Sequence, residues 1–264
     1  MSKIGFIGMG NMGYALMNGC LEFFDKENVL FFDTNTDRCE EVKNETDVDF
    51  VSSVNELVEN VKFVVLAIKP QVYETALDGV ETSVSEDTII ISLAPGITVD
   101  KVKSLTSAEK IIRTMPNTPA MVGEGMTGIC YNEEVFTPDE EVVIDKIFNS
   151  VGKYKKVSED LMDAVVCASG SSPAYVFMFI DYLAKSVEKL GLSKEESIDF
   201  VAQTVLGSAK LLMETGEDPQ VLKERVCSPG GTTIEGVKKL DENELEKAID
   251  EATQACFKRC KELQ

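Results

Sequence analysis

Histidine is absent from this sequence of 264 residues. No histidine can therefore serve as a general acid or base, and no zinc site can draw on mixed cysteine and histidine ligands. The seven cysteines are scattered along the chain without a Cys-x-x-Cys motif. This distribution favours buried, reduced thiols in a reducing compartment, and we predict that the protein binds no metal.

Basic side chains are also scarce, since 26 lysines and arginines stand against 46 acidic residues and leave a net charge of −20. A surface with this charge repels nucleic acid and anionic lipid, so we expect neither as a partner. The same charge repels phosphate and carboxylate ligands at long range. Any such ligand must be held by backbone N–H groups, helix ends or a few placed cations.

Long hydrophobic runs are missing as well. The longest apolar stretch, residues 174–180, is too short to cross a bilayer, and the first residues, Met1-Ser2-Lys3-Ile4, lack the features of a signal peptide. The hydrophobic content of 44% and the charged content of 27% are ordinary for a globular protein. We therefore expect a globular, cytoplasmic protein that is not bound to a membrane.

The first part of the chain alternates short apolar segments with helical segments. Strands are predicted at residues 3–7, 29–32, 48–51, 63–68, 88–93, 110–114, 126–131 and 152–157, and one of the intervening helices at 139–149. Short buried strands that alternate with helices indicate βαβ units and a mostly parallel sheet.

From about residue 158 onward the pattern is helical. Residues 174–184 are apolar on nearly every side, which predicts a helix buried on most sides, as in a subunit interface. Capping-box patterns at residues 193–196 and 232–235 predict two further helix starts. The chain is therefore predicted to divide into an α/β domain at 1–157 and an all-helical domain at 158–264.

A glycine motif, Gly8-x-Gly10-x-x-Gly13, directly follows the first predicted strand and opens a helix, and Asp33 lies 20 positions later at the end of the second strand. This context predicts a dinucleotide-binding domain of the Rossmann type. Gly8 allows the tight turn, Gly10 lets the backbone approach the pyrophosphate, and Gly13 lets the helix pack close to the strand. The N–H groups at the start of the helix then bind the pyrophosphate.

Further cofactor-binding residues are predicted at the carboxyl ends of later strands, where ligands of such sheets bind. Lys69 would bring a cation to the edge of the site, the alternative being an ordinary exposed lysine before a proline that starts a helix. The set predicted on these grounds to bind NAD(P)H comprises Ile7, Gly8, Met9, Gly10, Asn11, Met12, Gly13, Asp33, Asn35, Ala67, Ile68, Lys69, Pro70, Ala94, Pro95 and Gly96.

The choice between NADH and NADPH stays open. Asp33 is suited to accept hydrogen bonds from the adenosine ribose hydroxyls and to repel a 2′-phosphate, which favours NADH. If Asp33 turned away, residues 34–36 and Arg38 would be placed to surround a phosphate.

The absence of histidine excludes the hydride-transfer enzymes that rely on one, such as lactate and malate dehydrogenases.

Residues 228–235, Ser-Pro-Gly-Gly-Thr-Thr-Ile-Glu, form the most unusual segment. Gly230 and Gly231 expose backbone N–H groups just before a predicted helix start, and this makes a nest suited to a small carboxylate. The hydroxyl of Thr233 would lie beside the bound anion. A plain capped helix after a turn is the alternative interpretation.

Four segments resemble the pyrroline-5-carboxylate reductase family, whose members catalyse the last step of proline biosynthesis. They are residues 6–13, 112–119 (Ile-Arg-Thr-Met-Pro-Asn-Thr-Pro), 170–177 (Gly-Ser-Ser-Pro-Ala-Tyr-Val-Phe) and 226–237 (Val-Cys-Ser-Pro-Gly-Gly-Thr-Thr-Ile-Glu-Gly-Val). The similarity extends from residue 3 to about residue 263. It implies a Rossmann domain followed by a helical dimerisation domain, a homodimer with interlocked helices, and assembly of dimers into decamers (pentamers of dimers).

The resemblance also implies a reaction. Hydride would pass from NADPH or NADH to the C=N carbon of 1-pyrroline-5-carboxylate and give L-proline, with the nicotinamide between one subunit's Rossmann domain and helices of its partner. A ring nitrogen that is already protonated needs no strong acid, which agrees with the absence of histidine. The sequence departs from the family pattern at Asp33, because many members carry a serine- or threonine-rich segment at this position instead of an acidic residue.

Site residues follow from the same resemblance. Thr233 matches the family threonine that hydrogen-bonds the ring nitrogen and is the predicted catalytic residue. Asn117 is expected to bind the cofactor by shaping the nicotinamide pocket together with Thr118. The predicted substrate-binding residues are Ser228, Gly230, Gly231, Thr232 and Thr233.

Two other functions remain possible on the sequence. One is reduction of another imine or oxidation of a β-hydroxyacid, but Lys185 and Lys189 lack the glycine-rich neighbourhood of the β-hydroxyacid enzymes. The other is a regulator that binds the cofactor without catalysis, which loss of the glycine motif or of residues 230–233 would have supported. Both motifs are intact.

Overall fold

The structure, a computed structural model, describes residues 3–262. It divides into two compact units, Met1–Pro173 with Phe257–Gln264, and Ala174–Cys256. Residues 1, 2, 263 and 264, which are the outer ends of the two predicted domains, lie outside the described residues. The predicted domain boundary after residue 157 rests on the change from strands to helices and stays a prediction, whereas compactness alone places the division after Pro173.

The first unit contains the sheet. Its strands are β1 (Ile4–Ile7), β2 (Val29–Phe32), β3 (Asp49–Phe50), β4 (Phe63–Leu66), β5 (Ile89–Ser92), β6 (Lys110–Met115), β7 (Gly125–Cys130) and β8 (Gly152–Lys156). They lie in the order β3-β2-β1-β4-β5-β6-β7-β8. Within the described sheet, β6 and β7 pair antiparallel and the other neighbours pair parallel. The predicted mostly parallel, Rossmann-type sheet is confirmed.

The central strands are apolar on both faces because helices cover both sides of a parallel sheet. In β1, Phe6 packs in the hydrophobic cluster on one face, and Ile7 packs in the cluster on the other. In β4, Val65 and Leu66 alternate between the faces in the same way. This explains why the strands read as continuous apolar runs.

The helices of the first unit are short, with 4 to 12 residues each. They are α1 (Asn11–Cys20), α2 (Thr36–Thr46), α3 (Val54–Asn60), α4 (Tyr73–Ala76), α5 (Val99–Thr106), α6 (Pro138–Asn149) and α7 (Met162–Val165). A capping box formed by Thr137 and Glu140 starts α6, one residue before the predicted start. A π-helical turn, Val166–Gly170, follows α7.

Five further helices complete the chain. They are α8 (Ser172–Glu188), α9 (Lys194–Thr215), α10 (Pro219–Val226), α11 (Thr232–Glu242) and α12 (Leu245–Glu262). The capping box predicted at residues 193–196 is confirmed, since Ser193 and Glu196 each bond the other's backbone N–H. The helix ends at Gly216, which adopts the left-handed conformation with φ 63°.

In the single chain the helix at 174–184 is largely exposed, so its predicted burial, as in a subunit interface, requires a partner chain and stays a prediction. Ala184 is the buried residue of α8, whereas the side chains of Phe177 and Tyr182 are 64% and 60% exposed. By length and hydropathy alone, the helical stretch 159–188 is also sufficient to span a membrane. That stretch is longer than the uninterrupted apolar run of the sequence because it includes polar residues between the apolar ones.

Candidate active site

The strand order reverses at β1, which lies between β2 and β4, and the carboxyl ends of β1 and β4 border the resulting crevice. Ligands of doubly wound sheets bind at this position. The N–H of Gly8 donates to the carbonyl of Phe32 at 2.8 Å, and the N–H of Ala67 donates to the carbonyl of Ile7 at 2.9 Å. These bonds hold the glycine turn, the end of β2 and the loop after β4 side by side.

The three motif glycines have three different surroundings. Gly8 adopts φ 98°, and a Cβ there would lie 2.7 Å from the carbonyl oxygen of Ala67. A Cβ on Gly13 would lie only 2.0 Å from the carbonyl oxygen of Gly8. A Cβ on Gly10 would meet nothing within 4 Å. The turn is thus closed around Gly8 and Gly13 and open in front of Gly10, which fits the close approach of a pyrophosphate.

The start of α1 is suited to an anion. Its N-cap is Gly10, which provides no side-chain cap, and the first turn carries no acidic residue. The N–H groups of Asn11 and Met12 therefore belong to an electropositive helix end. Ile7 and Met9 have side chains that are 1% exposed and belong to the core, so their predicted contribution to a ligand can come only from the backbone.

Asp33 is hydrogen-bonded to the backbone of the turn. Its Oδ2 accepts the N–H of Met9 at 2.6 Å, and its Oδ1 accepts the N–H of Asn35 at 2.9 Å. Arg38 contacts the same segment, because its Nε donates to the carbonyl of Met9 at 3.0 Å. Asp33 is therefore directed toward the glycine turn and is not turned away from it.

The loops after β4, β5 and β6 carry the remaining predicted residues. Lys69 is exposed and occupies the N-cap position of a short 3₁₀ turn that begins at Pro70, without a side-chain hydrogen bond to it, while Ile68 and Ala67 are half-buried. Gly96 adopts φ 79° next to Pro95, and Ala94 is buried. Pro70 and Gly96 both line a cavity of about 530 Å³ at this edge of the sheet.

Asn117 has a structural task in its own loop. Its side chain is largely buried, and its Oδ1 accepts the N–H of Met126 at 2.9 Å. This bond fixes the turn between β6 and β7. Thr118 begins a short 3₁₀ turn, Thr118–Val122, immediately after it.

Sequence reasoning missed a buried hydroxyl network at the same edge. The Tyr73 hydroxyl lies 3.0 Å from the Ser92 Oγ and 3.3 Å from the carbonyl of Leu66, and the Thr114 Oγ1 donates to the carbonyl of Ser92 at 3.0 Å. Burial raises the pKa of Tyr73 to about 12, so the phenol is neutral. The network joins the ends of β4, β5 and β6, and its sequence signal is slight: Ser92 is the one polar residue of β5, an otherwise apolar strand.

The loop before α11 belongs to the second unit. Gly230 adopts φ 69°, and the N–H of Gly231 donates to the carbonyl of Ser228 at 3.0 Å, which closes a tight turn. Ser228, Thr232 and Thr233 are exposed. The predicted loop is confirmed, and it leads directly into a helix of 11 residues.

The capping box predicted for Thr232 and Glu235 is wrong. The N-cap of α11 is Gly231, no side chain caps the helix, and Glu235 pairs instead with Lys238 at 2.6 Å. Thr232 is already helical, so its hydroxyl is past the position from which a cap bonds the first turn. The Thr233 hydroxyl has no hydrogen-bond partner in the part of the chain that the structure describes. The first N–H groups of α11 and this hydroxyl can therefore serve a ligand.

In comparison with known proteins, two family models match two separate parts of the chain. Residues 159–263 match the family model for pyrroline-5-carboxylate reductase dimerisation. Residues 3–96 match the family model for coenzyme F420-dependent NADP oxidoreductases. The first match covers the helical region, and the second covers the glycine turn and the strands around it.

Full-length relatives extend the likeness to the whole chain. The pyrroline-5-carboxylate reductase of Escherichia coli strain K12 is 37% identical, over 99% of this chain and 98% of its own length. A structure of the Coxiella burnetii enzyme is 33% identical with a TM-score of 0.91, over 100% of this chain and 98% of that one. A Plasmodium falciparum pyrroline carboxylate reductase structure with NADP bound is 33% identical with a TM-score of 0.88, over 99% and 98%. The chain belongs to the pyrroline-5-carboxylate reductase family.

Proposed function

We propose that this protein reduces 1-pyrroline-5-carboxylate to L-proline with NADPH or NADH as the hydride donor. The observation that carries the proposal is the likeness to the E. coli enzyme over 99% of the chain, with the glycine turn and residues 228–233 both intact. The chemistry is also compatible with a chain without histidine.

The first unit would hold the cofactor. Bound NAD(P)H supplies a hydride from its nicotinamide ring. The N–H groups at the start of α1 would bind the pyrophosphate in front of Gly10, where a Cβ meets nothing within 4 Å. The loops that carry Lys69, Gly96 and Asn117 would shape the nicotinamide pocket, and the hydroxyl network of Tyr73 holds the ends of their strands in register.

The second unit would hold the substrate. The N–H groups of Gly230 and Thr232 would bind the substrate carboxylate at the positive end of α11, with Ser228 and Gly231 closing the turn. The Thr233 hydroxyl would hydrogen-bond the ring nitrogen and orient the C=N carbon. Because the imine nitrogen is already protonated, orientation and one hydrogen bond are sufficient help from the protein.

The helical region would form the subunit interface. Residues 159–263 match a dimerisation family, and α8 carries large apolar side chains that are half-exposed in the single chain, among them Phe177, Phe179 and Tyr182. Faces of this kind mark protein–protein interfaces. We propose a homodimer that covers this face, further assembly into a pentamer of dimers, and a location in the cytoplasm. Light scattering on a sizing column tests both assemblies.

One assay tests the activity. Purified protein is mixed with 1-pyrroline-5-carboxylate and saturating NADPH or NADH, and both cofactor oxidation and proline formation are measured. Proline formation with at least one cofactor is expected. No proline with either cofactor contradicts the proposal, and oxidation of a β-hydroxyacid would support the alternative enzyme class instead.

Thr233→Ala tests the proposed catalytic side chain. Loss of one hydrogen bond that strengthens in the transition state lowers turnover by about tenfold or more, and leaves the dissociation constant of the cofactor nearly unchanged. Thr233→Ser keeps the hydroxyl and is the matched control, with a rate close to that of the wild type. An unchanged rate in Thr233→Ala would show that another group contacts the ring nitrogen.

A further inference from the structure

We infer that this protein binds NADH in preference to NADPH, and that Asp33 determines the preference. The inference rests on the proposed function and deepens it, because the proposed reaction accepts either donor. Three features of residues 33–41, from the end of β2 into α2, carry it: a carboxylate fixed by hydrogen bonds, helix N–H groups that already have an acceptor, and an arginine paired with a glutamate.

The carboxylate of Asp33 is fixed where the adenosine ribose of a bound dinucleotide lies in a Rossmann domain. Both of its oxygens accept backbone N–H groups, from Met9 at 2.6 Å and from Asn35 at 2.9 Å. Turning Asp33 away to admit a 2′-phosphate would break two charge-assisted hydrogen bonds and release the glycine turn. The remaining lone pairs of the two oxygens can still accept hydrogen bonds from ribose hydroxyls.

The start of α2 offers little to a 2′-phosphate. Helix N-terminal N–H groups commonly bind phosphate, but here the Asn35 Oδ1 accepts those of Asp37 at 3.1 Å and Arg38 at 3.3 Å. Asp37 adds a carboxylate to the first turn of the same helix. A phosphate at this position would displace a side-chain cap and face a second charge of its own sign.

Arg38 is the one basic residue of the segment 33–41, which contains four acidic residues. Its Nε donates to the carbonyl of Met9 at 3.0 Å, and its Nη1 forms an ion pair with Glu41 at 2.7 Å. Its guanidinium also lies over the ring of Tyr14, 4.8 Å from the ring centre. Arg38 thus braces the glycine turn with a charge that Glu41 compensates, and the segment remains negative toward a dianionic phosphate.

Calorimetric titration of the full-length protein tests the preference without turnover. Dissociation constants are measured for NADH and NADPH, and for adenosine 5′-monophosphate and adenosine 2′,5′-bisphosphate, which report on the adenosine end alone. We expect the forms without the 2′-phosphate to bind at least about tenfold more tightly, which corresponds to ~1.4 kcal/mol.

Asp33→Asn removes the charge and keeps one accepting oxygen. We expect it to improve NADPH binding about tenfold or more and to change NADH binding much less. Glu41→Gln releases Arg38 from its ion pair and shifts the ratio in the same direction by a smaller factor. Glu27→Gln removes an equal charge at an exposed position outside the segment and is the control, with an unchanged ratio.

Two results would overturn the inference: equal or tighter binding of NADPH by the wild type, or an unchanged ratio in Asp33→Asn. Failure of the proposed function gives a different result. In that case no proline forms with either cofactor, while the binding ratio still reports on Asp33.

Discussion

The helices α1 and α11 both begin at a glycine N-cap without a side-chain cap, but their surroundings differ. Before α1, Gly8 and Gly13 are enclosed so tightly that a Cβ on either would overlap a backbone carbonyl. Before α11, a Cβ on Gly230 meets nothing within 4 Å, and only its φ of 69° requires glycine. The first helix start is shaped by packing against a sheet, whereas the second is shaped by the conformation of its own exposed backbone.

Among the substitutions that test this difference, Gly13→Ala is expected to have the largest effect on stability. The new Cβ would lie 2.0 Å from the carbonyl oxygen of Gly8, so α1 must move away from the turn. We expect a loss of about 3 kcal/mol in the free energy of unfolding, together with loss of cofactor binding. Gly10→Ala places its Cβ in open space and should weaken only cofactor binding. Denaturant unfolding and cofactor titration measure the two quantities, and equal stability losses would contradict the packing argument.

Low pH should lower the stability of the first unit, because a buried carboxylate, that of Glu140, pairs with two lysines near the starts of β4 and β6. Glu140 accepts Lys110 at 2.7 Å and Lys62 at 2.7 Å, and its side chain is 3% exposed. Burial alone would raise the pKa of this carboxyl, but the two lysines outweigh burial and lower it from 4.5 to about 2. A folded-state pKa below the unfolded value stabilises the fold above about pH 4.5, and this contribution is lost as the pH falls toward 2.

Glu140→Gln tests that contribution. We expect it to cost ~2–3 kcal/mol at pH 7 and almost nothing near pH 2, because protonation of the wild type then removes the same charge. Glu109→Gln, which breaks the exposed ion pair with Lys103, is the control and should cost well under ~1 kcal/mol at either pH. A cost for Glu140→Gln that does not depend on pH would contradict the assignment.

Gly230→Ala should reveal the backbone requirement of the exposed loop. A residue with a Cβ in the left-handed conformation costs about 1–2 kcal/mol locally, so the loop is expected to relax and bind the substrate more weakly. We expect a higher KM for the substrate and an unchanged dissociation constant for the cofactor. Gly79→Ala imposes the same strain at φ 77° in a turn of the first unit and should leave the substrate KM unaltered. Equal kinetic effects would show that strain alone is being measured.

Tyr73→Phe should have the smallest effect on stability, and it tests whether the buried hydroxyl network supports the cofactor site. It removes the hydroxyl that joins Ser92 to the end of β4, at a cost of about 1 kcal/mol in stability. Because the neighbouring loops are then less fixed, the KM for the cofactor should rise while kcat changes little. Thr106→Val removes a buried hydroxyl bonded to Val102 within α5 and should lower stability without the change in KM. A KM that is equal in both variants would leave Tyr73 with a purely structural role.

Local patterns predicted most of the fold for reasons that the structure makes plain. The apolar strands are buried on both faces, so continuous hydrophobic runs marked them, and the Ser193 capping box depends on residues three positions apart. The glycine turn was identified because strand, turn and helix follow one another directly. The capping box proposed at Thr232 failed because Gly231 takes the N-cap position, one residue earlier, and side-chain identity alone does not determine where the first helical residue falls.

The sequence by itself determined the alternation of strands and helices, the glycines of the cofactor turn and the resemblance of four separate segments to one family. Only the tertiary structure decided that Asp33 accepts the N–H of Met9, that Arg38 is bonded to the carbonyl of Met9, and that Tyr73 bridges Leu66 and Ser92. The physical reason is the range of each effect. Turns, caps and hydrophobic periodicity act between near neighbours in the chain, whereas these hydrogen bonds join residues 7 to 29 positions apart, which only the folded sheet brings together.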